Sequence, residues 1–500
     1  MIYQTNLTEP QGIIKKMNLV YIVIDTLRYD YIGANGNDWI ETPNIDRFAS
    51  KALAFDYAFC ASFPTIPYRT DVITGQYGAP IHPWKPLRHE RQTLPWTLAE
   101  NGYATQLIHD TPHLVNGGHN FDWPFHAWTF VRGAEVDRDW ITDTVVWPDN
   151  WTRQPLFDCI DDKAAESGML RSYARANRNR KKPEDWNCAK LFNTAAQFLK
   201  DNAKRDNFFL WIDCFDPHEP WDAPLEFMKK YDTRPGYDGR VDPRSLGARG
   251  NAELSDEAKQ HIKAQYAAKT TWMDHCFGQF LDALESTELD KNTAVIFTAD
   301  HGTNVGERGR FGKGQPVRQQ ETHVPLFIRL PEGDTGRSNV IVQPQDFFPT
   351  ILNILGEARP DGIEGHDILT PARNGEAGAR QLALSGGSIE RWENSAENPN
   401  LNLFTVFDRE WSLEVGTTPE NSKLVRLGEL DDVANDHPDV VAKLHAAAVD
   451  EIECRGTDPV LMAWLRSGGE AAFPADAHYW NGYPGPAGYR PYFGKLYTGE

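Results

Sequence analysis

The chain has little cysteine and no long apolar run. Its six cysteines among 500 residues are scattered and form no Cys-x-x-Cys pair. This usage predicts reduced thiols rather than a disulfide framework. Residues 1–10 lack the basic start and apolar core of a signal peptide, and no apolar stretch reaches membrane-spanning length. We therefore expect a cytoplasmic protein that does not interact with membranes.

Basic residues are also in the minority. The sequence has 51 lysines and arginines against 71 aspartates and glutamates, which gives a formal net charge of −20 at pH 7. A nucleic-acid partner requires a basic surface that neutralises phosphates, so this balance argues against one. The length is sufficient for one large α/β domain and a smaller one. We expect a globular protein without a nucleic-acid partner.

Two apolar runs of strand length end in acidic residues. Residues 19–24 lead directly into Asp25, and residues 294–299 lead into Asp300 and His301. The β-branched composition of both runs predicts buried strands. In an open parallel sheet the carboxyl ends of the strands share one edge, where ligands bind. The sequence therefore predicts a metal site built from Asp25, Asp300 and His301.

A third stretch, residues 62–75, predicts a loop that enters a short helix and ends at Gly75. Thr65 is expected at the helix start, with Pro67 in the first turn, where a missing N–H group costs little. A hydroxyl there faces free backbone N–H groups and the positive end of the helix dipole. Thr65 is therefore a candidate nucleophile for an anionic ester. The alternative is that Thr65 only caps the helix.

The spacing inside this third stretch matches a known signature. Thr65, Pro67 and Arg69, followed by Thr74 and Gly75, stand in the register of the sulfatase motif, which begins with Cys or Ser. The further stretches that fit the same family are residues 42–47, 216–221, 300–302 with Lys313 behind them, and 346–350. Over residues 18–370 the chain thus resembles the sulfatase-like branch of the alkaline phosphatase superfamily.

The resemblance implies a fold and a division of the chain. We expect an α/β sandwich with a mainly parallel central sheet flanked by helices, plus a smaller C-terminal α+β subdomain. The expected segments are an N-terminal lead (1–17), a catalytic domain (18–372) with a lid-like insertion (114–190), the subdomain (373–465) and an aromatic-rich tail (466–500). Relatives are often dimers or tetramers, and the tail is expected to wrap this subunit or a neighbour. We therefore expect a homo-oligomer.

The resemblance also assigns roles to individual residues. Arg69 and Lys313 are expected to hold Thr65 and to balance the negative charge of the transition state. His218 is expected to contact the substrate anion or the leaving group and to supply the proton that the leaving oxygen needs. His113 matches a family histidine that contacts the substrate anion, although Asp110 stands near the position of a family lysine. The alternative for His113 is a loop histidine that bonds only to backbone.

The expected cofactor is one divalent metal ion. Its ligands would be Asp25, Asp300, His301 and the hydroxyl of Thr65. Many sulfatases carry a second acid directly after the first, but this chain has Thr26 there. An oxygen and imidazole set suits Mn²⁺ or Zn²⁺ better than Ca²⁺. The alternatives for a second metal are Asp213 with Asp216, and His323, which is more simply read as a strand-edge histidine.

Threonine at position 65 decides the predicted reaction. Sulfatases convert their Cys or Ser to formylglycine, and threonine relatives in the superfamily act on phosphorus esters. We therefore predict hydrolysis of a small anionic phosphate or phosphonate ester through a covalent Thr65 intermediate. The first alternative is a sulfatase with an unusual nucleophile. The second is an inactive binding homologue, against which the intact set of metal and cationic residues speaks.

Overall fold

The structure is a computed structural model that describes residues 17–116, 118–135, 137–142, 145–158, 168–243, 254–387 and 404–470. The N-terminal lead before residue 17 and the tail after residue 470 lie outside these ranges. Across them, none of the helices combines the length and the apolar character that a membrane crossing requires. The five cysteines in these ranges are free thiols, and the buried sulfurs of Cys188 and Cys214 lie 3.8 Å apart.

A mainly parallel sheet of eight strands forms the centre of the described chain. Its strand order is β10-β2-β9-β6-β1-β5-β3-β4, and β9 alone runs antiparallel to its neighbours. A separate two-stranded ribbon pairs β7 with β8. The first ten strands are β1 (Asn18–Ile24), β2 (Leu53–Ala58), β3 (Ala104–His109), β4 (Ala127–Phe130), β5 (Phe208–Cys214), β6 (Thr293–Ala299), β7 (Asn304–Val305), β8 (Phe311–Gly312), β9 (Leu326–Arg329) and β10 (Gly336–Val342).

The central strands are buried along their whole length. Every residue of β1, β5 and β6 is buried, which is why these segments read as continuous apolar runs rather than as alternating ones. β1 lies between β5 and β6, and Ile24 pairs with Ala299. Asp25 and Asp300 therefore leave the sheet side by side at its carboxyl edge, as predicted.

Two groups of helices flank the sheet. α7 packs against α1, α5 and α6, and α2 packs against α3 and α9. Most residues of α7 are buried, including Tyr266, Trp272 and Phe277. The helices of the catalytic segment are α1 (Pro43–Ala49), α2 (Thr65–Thr74), α3 (Leu94–Glu100), α4 (Gly168–Ala176), α5 (Asn187–Asp201), α6 (Leu225–Tyr231), α7 (Asp256–Ser286), α8 (Gln319–Thr322), α9 (Phe347–Leu355) and α10 (Leu369–Asn374).

A second, antiparallel sheet forms from the C-terminal part of the chain. Its strands are β11 (Ala383–Ser385), β12 (Phe404–Phe407), β13 (Trp411–Val415) and β14 (Lys423–Arg426), and its helices are α11 (Pro438–Cys454) and α12 (Pro459–Arg466). β12 and β13 pair as an antiparallel hairpin. This sheet shares an apolar core with its two helices. The predicted fold class, a mainly parallel sheet with a smaller α+β unit, is confirmed.

The segment from 114 to 190 was predicted to be a lid-like insertion, but part of it belongs to the main sheet. It contributes β4, which pairs in parallel with β3 and forms the edge of the main sheet. The side chains of β4 are largely exposed, so the strand has no buried alternation that sequence reasoning could detect. Glu135, an acid of the site described below, follows this strand.

Candidate active site

Three buried side chains converge at the carboxyl edge of the sheet. Asp25 follows β1, Asp300 and His301 follow β6, and each is fully buried. One ligand atom from each lies within 4.8 Å of the others. His301 Nε2 is 3.8 Å from Asp25 Oδ1 and 3.7 Å from Asp300 Oδ2. The structure thus brings together the three residues that strand-end reasoning predicted.

The hydrogen bonds leave this cluster open toward a cation. His301 Nδ1–H donates to the Gly302 carbonyl at 2.8 Å, so Nε2 carries the lone pair. Neither Asp25 oxygen nor His301 Nε2 has a hydrogen-bond partner in the described chain. Burial and the neighbouring Asp300 raise the pKa of Asp25 well above its ordinary range. Unpaired buried acceptors that face one another fit a divalent cation.

The backbone next to the cluster is strained. Thr26 has a φ of 63°, which a β-branched residue rarely adopts. In this conformation the Thr26 N–H donates to Asp300 Oδ1 at 3.1 Å, and the His301 N–H donates to the same oxygen at 2.6 Å. The Asp300 carboxylate therefore joins the ends of β1 and β6. Thr26 occupies the place of a second family acid and supplies a main-chain donor instead.

Arg69 is a buried cation that binds the acids of the site. Its guanidinium makes two bonds of 2.8 Å to Asp213 and one of 2.6 Å to Asp300 Oδ2. It also donates to the Thr65 carbonyl at 2.9 Å and lies 3.6 Å from Asp25 Oδ2. The predicted link to Thr65 therefore runs through the main chain, and the charge of Arg69 is directed at carboxylates rather than at a substrate.

Thr65 is the first residue of α2 and is 3% exposed. Pro64 holds the cap position and no side chain caps the helix, so the alternative that Thr65 is only an N-cap is wrong. Helix α2 ends at Gly75, whose φ of 63° favours glycine. A direct role of the Thr65 hydroxyl as nucleophile and ligand stays a prediction.

The loop before Thr65 is fixed by a buried acid. Both Ser62 N–H and Ser62 Oγ–H donate to Asp71 at 2.8 Å. Burial raises the pKa of Asp71 to about 7. Cys60, the nearest thiol, is fully buried and donates to the Ser62 carbonyl, and burial raises its pKa well above the ordinary value. A thiolate at Cys60 is therefore not a competing nucleophile.

Lys313 joins the turn that follows β5. Its ammonium donates to His218 Nε2 at 2.9 Å and to Glu219 Oε2 at 2.5 Å. His218 Nδ1–H donates to the Glu219 carbonyl at 2.8 Å. Burial, followed by the Lys313 charge, lowers the pKa of His218 to about 3. His218 thus accepts the hydrogen bond from Lys313 as a neutral ring, and its predicted role as proton donor to the leaving group stays a prediction.

His113 and His218 both lie close to Glu135, an acid that the sequence analysis did not predict. Glu135 Oε2 lies 3.7 Å from His113 Nε2 and 3.9 Å from His218 Nδ1. Trp84 meets His113 edge-on from the other side, with ring centroids 5.2 Å apart. Glu135 follows an exposed edge strand in a segment without periodicity, so no local signal marks it. His113 lies beside an acid and is not a histidine that bonds only to backbone.

The alternatives for a second metal are not favoured by the geometry. Asp213 binds Arg69, and Asp216 pairs with Lys269 at 3.0 Å. His323 Nε2–H donates to the Asp56 carbonyl at 2.8 Å and its ring stacks on Tyr29. Within the described ranges, Asp25, Asp300 and His301 are the one group of three or more metal-ligating side chains.

Comparisons with known proteins match this geometry to a family. The family model described as Sulfatase matches residues 17–357. The chain belongs to the sulfatase family. The predicted family is thereby confirmed, and with it an ester-bond hydrolase class whose members use a divalent metal ion.

The sequence identity between this chain and individual members of the family is modest. The chain is 27% identical over 375 residues to an arylsulfatase of Clostridium perfringens, covering 70% of this chain and 77% of the relative. It is 26% identical over 357 residues to iduronate 2-sulfatase of Homo sapiens, covering 65% and 61%. The phosphonate monoester hydrolase of Agrobacterium radiobacter superposes with a TM-score of 0.65 at 18% identity, covering 88% of this chain and 96% of that one. At that identity the likeness shows the fold alone.

The comparisons bear on the predicted substrate. Named sulfatases support the sulfate-ester alternative better than the phosphorus-ester prediction. The residue at the nucleophile position, Thr65, is the observation that still points the other way.

Proposed function

We propose that this protein is a metal-dependent hydrolase of small anionic sulfate esters. The observation that carries the proposal is the meeting of bare Asp25 and His301 ligand atoms at one sheet edge of a sulfatase-family chain. Asp25, Asp300 and His301 would hold the metal, and Mn²⁺ or Zn²⁺ suits their donor atoms. When bound, such an ion acidifies a hydroxyl and polarises the ester oxygens.

The residues of the chain would then divide the chemistry. Thr65 loses its hydroxyl proton to water, and its oxygen attacks sulfur as the bond from sulfur to the alcohol oxygen breaks. Lys313 gives a proton to the departing alcohol. Water next cleaves the bond between Thr65 and sulfur, which releases sulfate, restores the hydroxyl and returns a proton to Lys313. Arg69 keeps the acids of the site and the Thr65 backbone in place through its four hydrogen bonds.

A second candidate is hydrolysis of a phosphate diester, a phosphate monoester or a phosphonate monoester. Thr65 favours it, because the family conversion of Cys or Ser to formylglycine has no threonine counterpart. A sulfo-threonine turns over only by direct attack of water, and phosphorus accepts such attack more readily. The same residues serve both reactions, so the ester group distinguishes them.

The test is turnover of matched nitrophenyl esters by the full chain with added Mn²⁺: sulfate, phosphate monoester, phosphate diester and phosphonate monoester. Thr65→Ala is measured beside Thr70→Ala, a threonine on the same helix whose hydroxyl bonds to the Ile66 carbonyl. We expect the sulfate ester to be turned over fastest, Thr65→Ala to lose at least ~100-fold, and Thr70→Ala to remain active. A faster phosphorus ester selects the second candidate.

Two results would overturn the proposal more deeply. If Thr65→Ala turns over esters as fast as wild type, the covalent step is wrong. If no ester is hydrolysed and the purified chain retains no divalent metal, the protein is a binding homologue.

Assembly and location are further parts of the proposal. We propose a homo-oligomer, dimer or tetramer, in the cytoplasm, on the basis of the scattered cysteines and of the aromatic residues after position 470. Light scattering on the eluting protein checks the assembly, and a chain that elutes as a monomer at micromolar concentration contradicts it.

A further inference from the structure

Lys313 and the two histidines of the site each lie beside an internal acid. Lys313 Nζ lies 2.5 Å from Glu219 Oε2, and His113 and His218 both lie within 4 Å of Glu135. Glu135 is 5% exposed and Glu219 is 1% exposed. The groups that would attract an anionic substrate are therefore already matched to carboxylates of the chain.

Glu135 keeps its charge in this position. Burial alone would raise the pKa of Glu135, but the neighbouring His218, His113 and Lys313 outweigh it and hold the pKa below its ordinary value. The backbone around Glu135 is also fixed, because the Val131 N–H donates to the His109 carbonyl at 2.7 Å and the Gly133 N–H donates to Asp137 at 2.8 Å. A fixed negative charge thus stands between two histidines.

The charges of the centre as a whole are unbalanced toward negative. Five carboxylates surround it and two side chains are cationic; the acids are Asp25, Asp213, Asp300, Glu135 and Glu219, and the cations are Arg69 and Lys313. With Asp25 ionised as a metal ligand, a divalent ion leaves the centre with an excess of one negative charge. A second negative charge on the substrate would add to that excess in a site with little water to screen it.

We propose that Glu135, together with Glu219, makes this centre select singly charged esters over doubly charged ones. The inference rests on the proposed function and narrows its substrates. Sulfate esters, phosphate diesters and phosphonate monoesters carry one negative charge, and phosphate monoesters carry two above about pH 7. Glu135 therefore acts as a specificity-determining residue through its charge.

The test separates charge selection from catalysis by using ligands that the proposed reaction does not cleave. Benzenesulfonate carries one negative charge and phenylphosphonate, of similar shape, carries two at about pH 8. Their dissociation constants are measured by calorimetry on the Mn²⁺-loaded full chain, for wild type and Glu135→Gln. Glu184→Gln is the control, because this glutamate lies in the same segment with 61% of its side chain exposed.

We expect Glu135→Gln to improve phenylphosphonate binding relative to benzenesulfonate by about tenfold. Glu184→Gln should leave the ratio of the two constants unchanged. A merely structural role of Glu135 shifts both constants by the same factor and overturns the inference, as does an unchanged ratio. If Glu135→Gln does not fold, the wild type decides: its affinity for phenylphosphonate relative to benzenesulfonate must fall between about pH 6 and 8, as the second proton leaves.

The failure of charge selection and the failure of the proposed function give different results. If the binding ratio shifts as expected while no ester is hydrolysed, charge selection stands and the hydrolase proposal fails. If esters are hydrolysed while the ratio does not respond to Glu135→Gln, the hydrolase proposal stands and charge selection fails.

Discussion

Replacement of Arg69 by methionine offers a severe test of how the site is held together. The guanidinium is fully buried and makes four hydrogen bonds, three of them to the carboxylates of Asp213 and Asp300. Asp25 lies 3.6 Å from the same group. Methionine fills similar volume but leaves these acids facing one another without a cation.

The expected cost follows from that burial. Removing one partner of a buried ion pair typically destabilises a protein by about 3–5 kcal/mol. We expect Arg69→Met to lose this amount in urea unfolding followed by tryptophan fluorescence. The control is Arg47→Met, whose partner Asp282 is 2.9 Å away but whose side chain is 37% exposed. An exposed pair should contribute under about 1 kcal/mol.

A further variant identifies the cause of the loss. Asp213→Asn combined with Arg69→Met removes one of the stranded charges, so the double variant should recover part of the lost stability. The reasoning is refuted if Arg69→Met loses no more than Arg47→Met. It is also refuted if the double variant is less stable than Arg69→Met, because repulsion among the acids would then not be the source of the cost.

Three further predictions concern metal, position and pH. His301→Ala should lower bound Mn²⁺ after dialysis from about one ion per chain to under about 0.1, since a bare ligand nitrogen is lost. Lys269→Met should reduce turnover without loss of metal, because Lys269 bonds to the His218 carbonyl at 2.8 Å and to Asp216 at 3.0 Å. Burial lowers the pKa of His323 from 6.5 to about 4, so wild type should lose more stability than His323→Gln as pH falls from 6.5 to 4, by up to about 1.4 kcal/mol per pH unit.

Each of these has a result that contradicts it. Unchanged metal content in His301→Ala would remove His301 from the ligand set. Lys269→Met with wild-type turnover would show that the turn carrying His218 is positioned by other contacts. Parallel pH profiles for wild type and His323→Gln would mean that His323 titrates alike in the folded and unfolded chains.

The candidate metal ligands were predictable because a local sequence pattern marks each of them and because parallel strands end at a common edge of the sheet. Two buried runs that end in Asp25 and in Asp300 with His301 suffice once parallel strands are assumed, since strand ends meet at one edge. The position of Thr65 at a helix start was also predictable from local sequence. Pro67 is typical of a first helical turn, and Gly75 is typical of a helix end. Only the choice between cap and first turn required coordinates.

The electrostatic partners were not predictable. Arg69 binds Asp213, which is 144 positions away. No sequence pattern in either segment indicates that these two side chains meet. The state of His218 depends on which nitrogen faces Lys313, a matter of orientation that composition does not encode. Glu135 follows β4, an edge strand with exposed side chains. A strand of that kind lacks the alternation on which a prediction rests.

The attachment of Glu135 to the sheet has a consequence for how the substrate preference of such a site could evolve. Only five positions separate this carboxylate from β4, whose edge pairing with β3 anchors it to the sheet. The position of this carboxylate is therefore tied to the edge of the sheet. If Glu135 sets the charge preference, as proposed, grafting residues 127–135 onto a relative would transfer that preference.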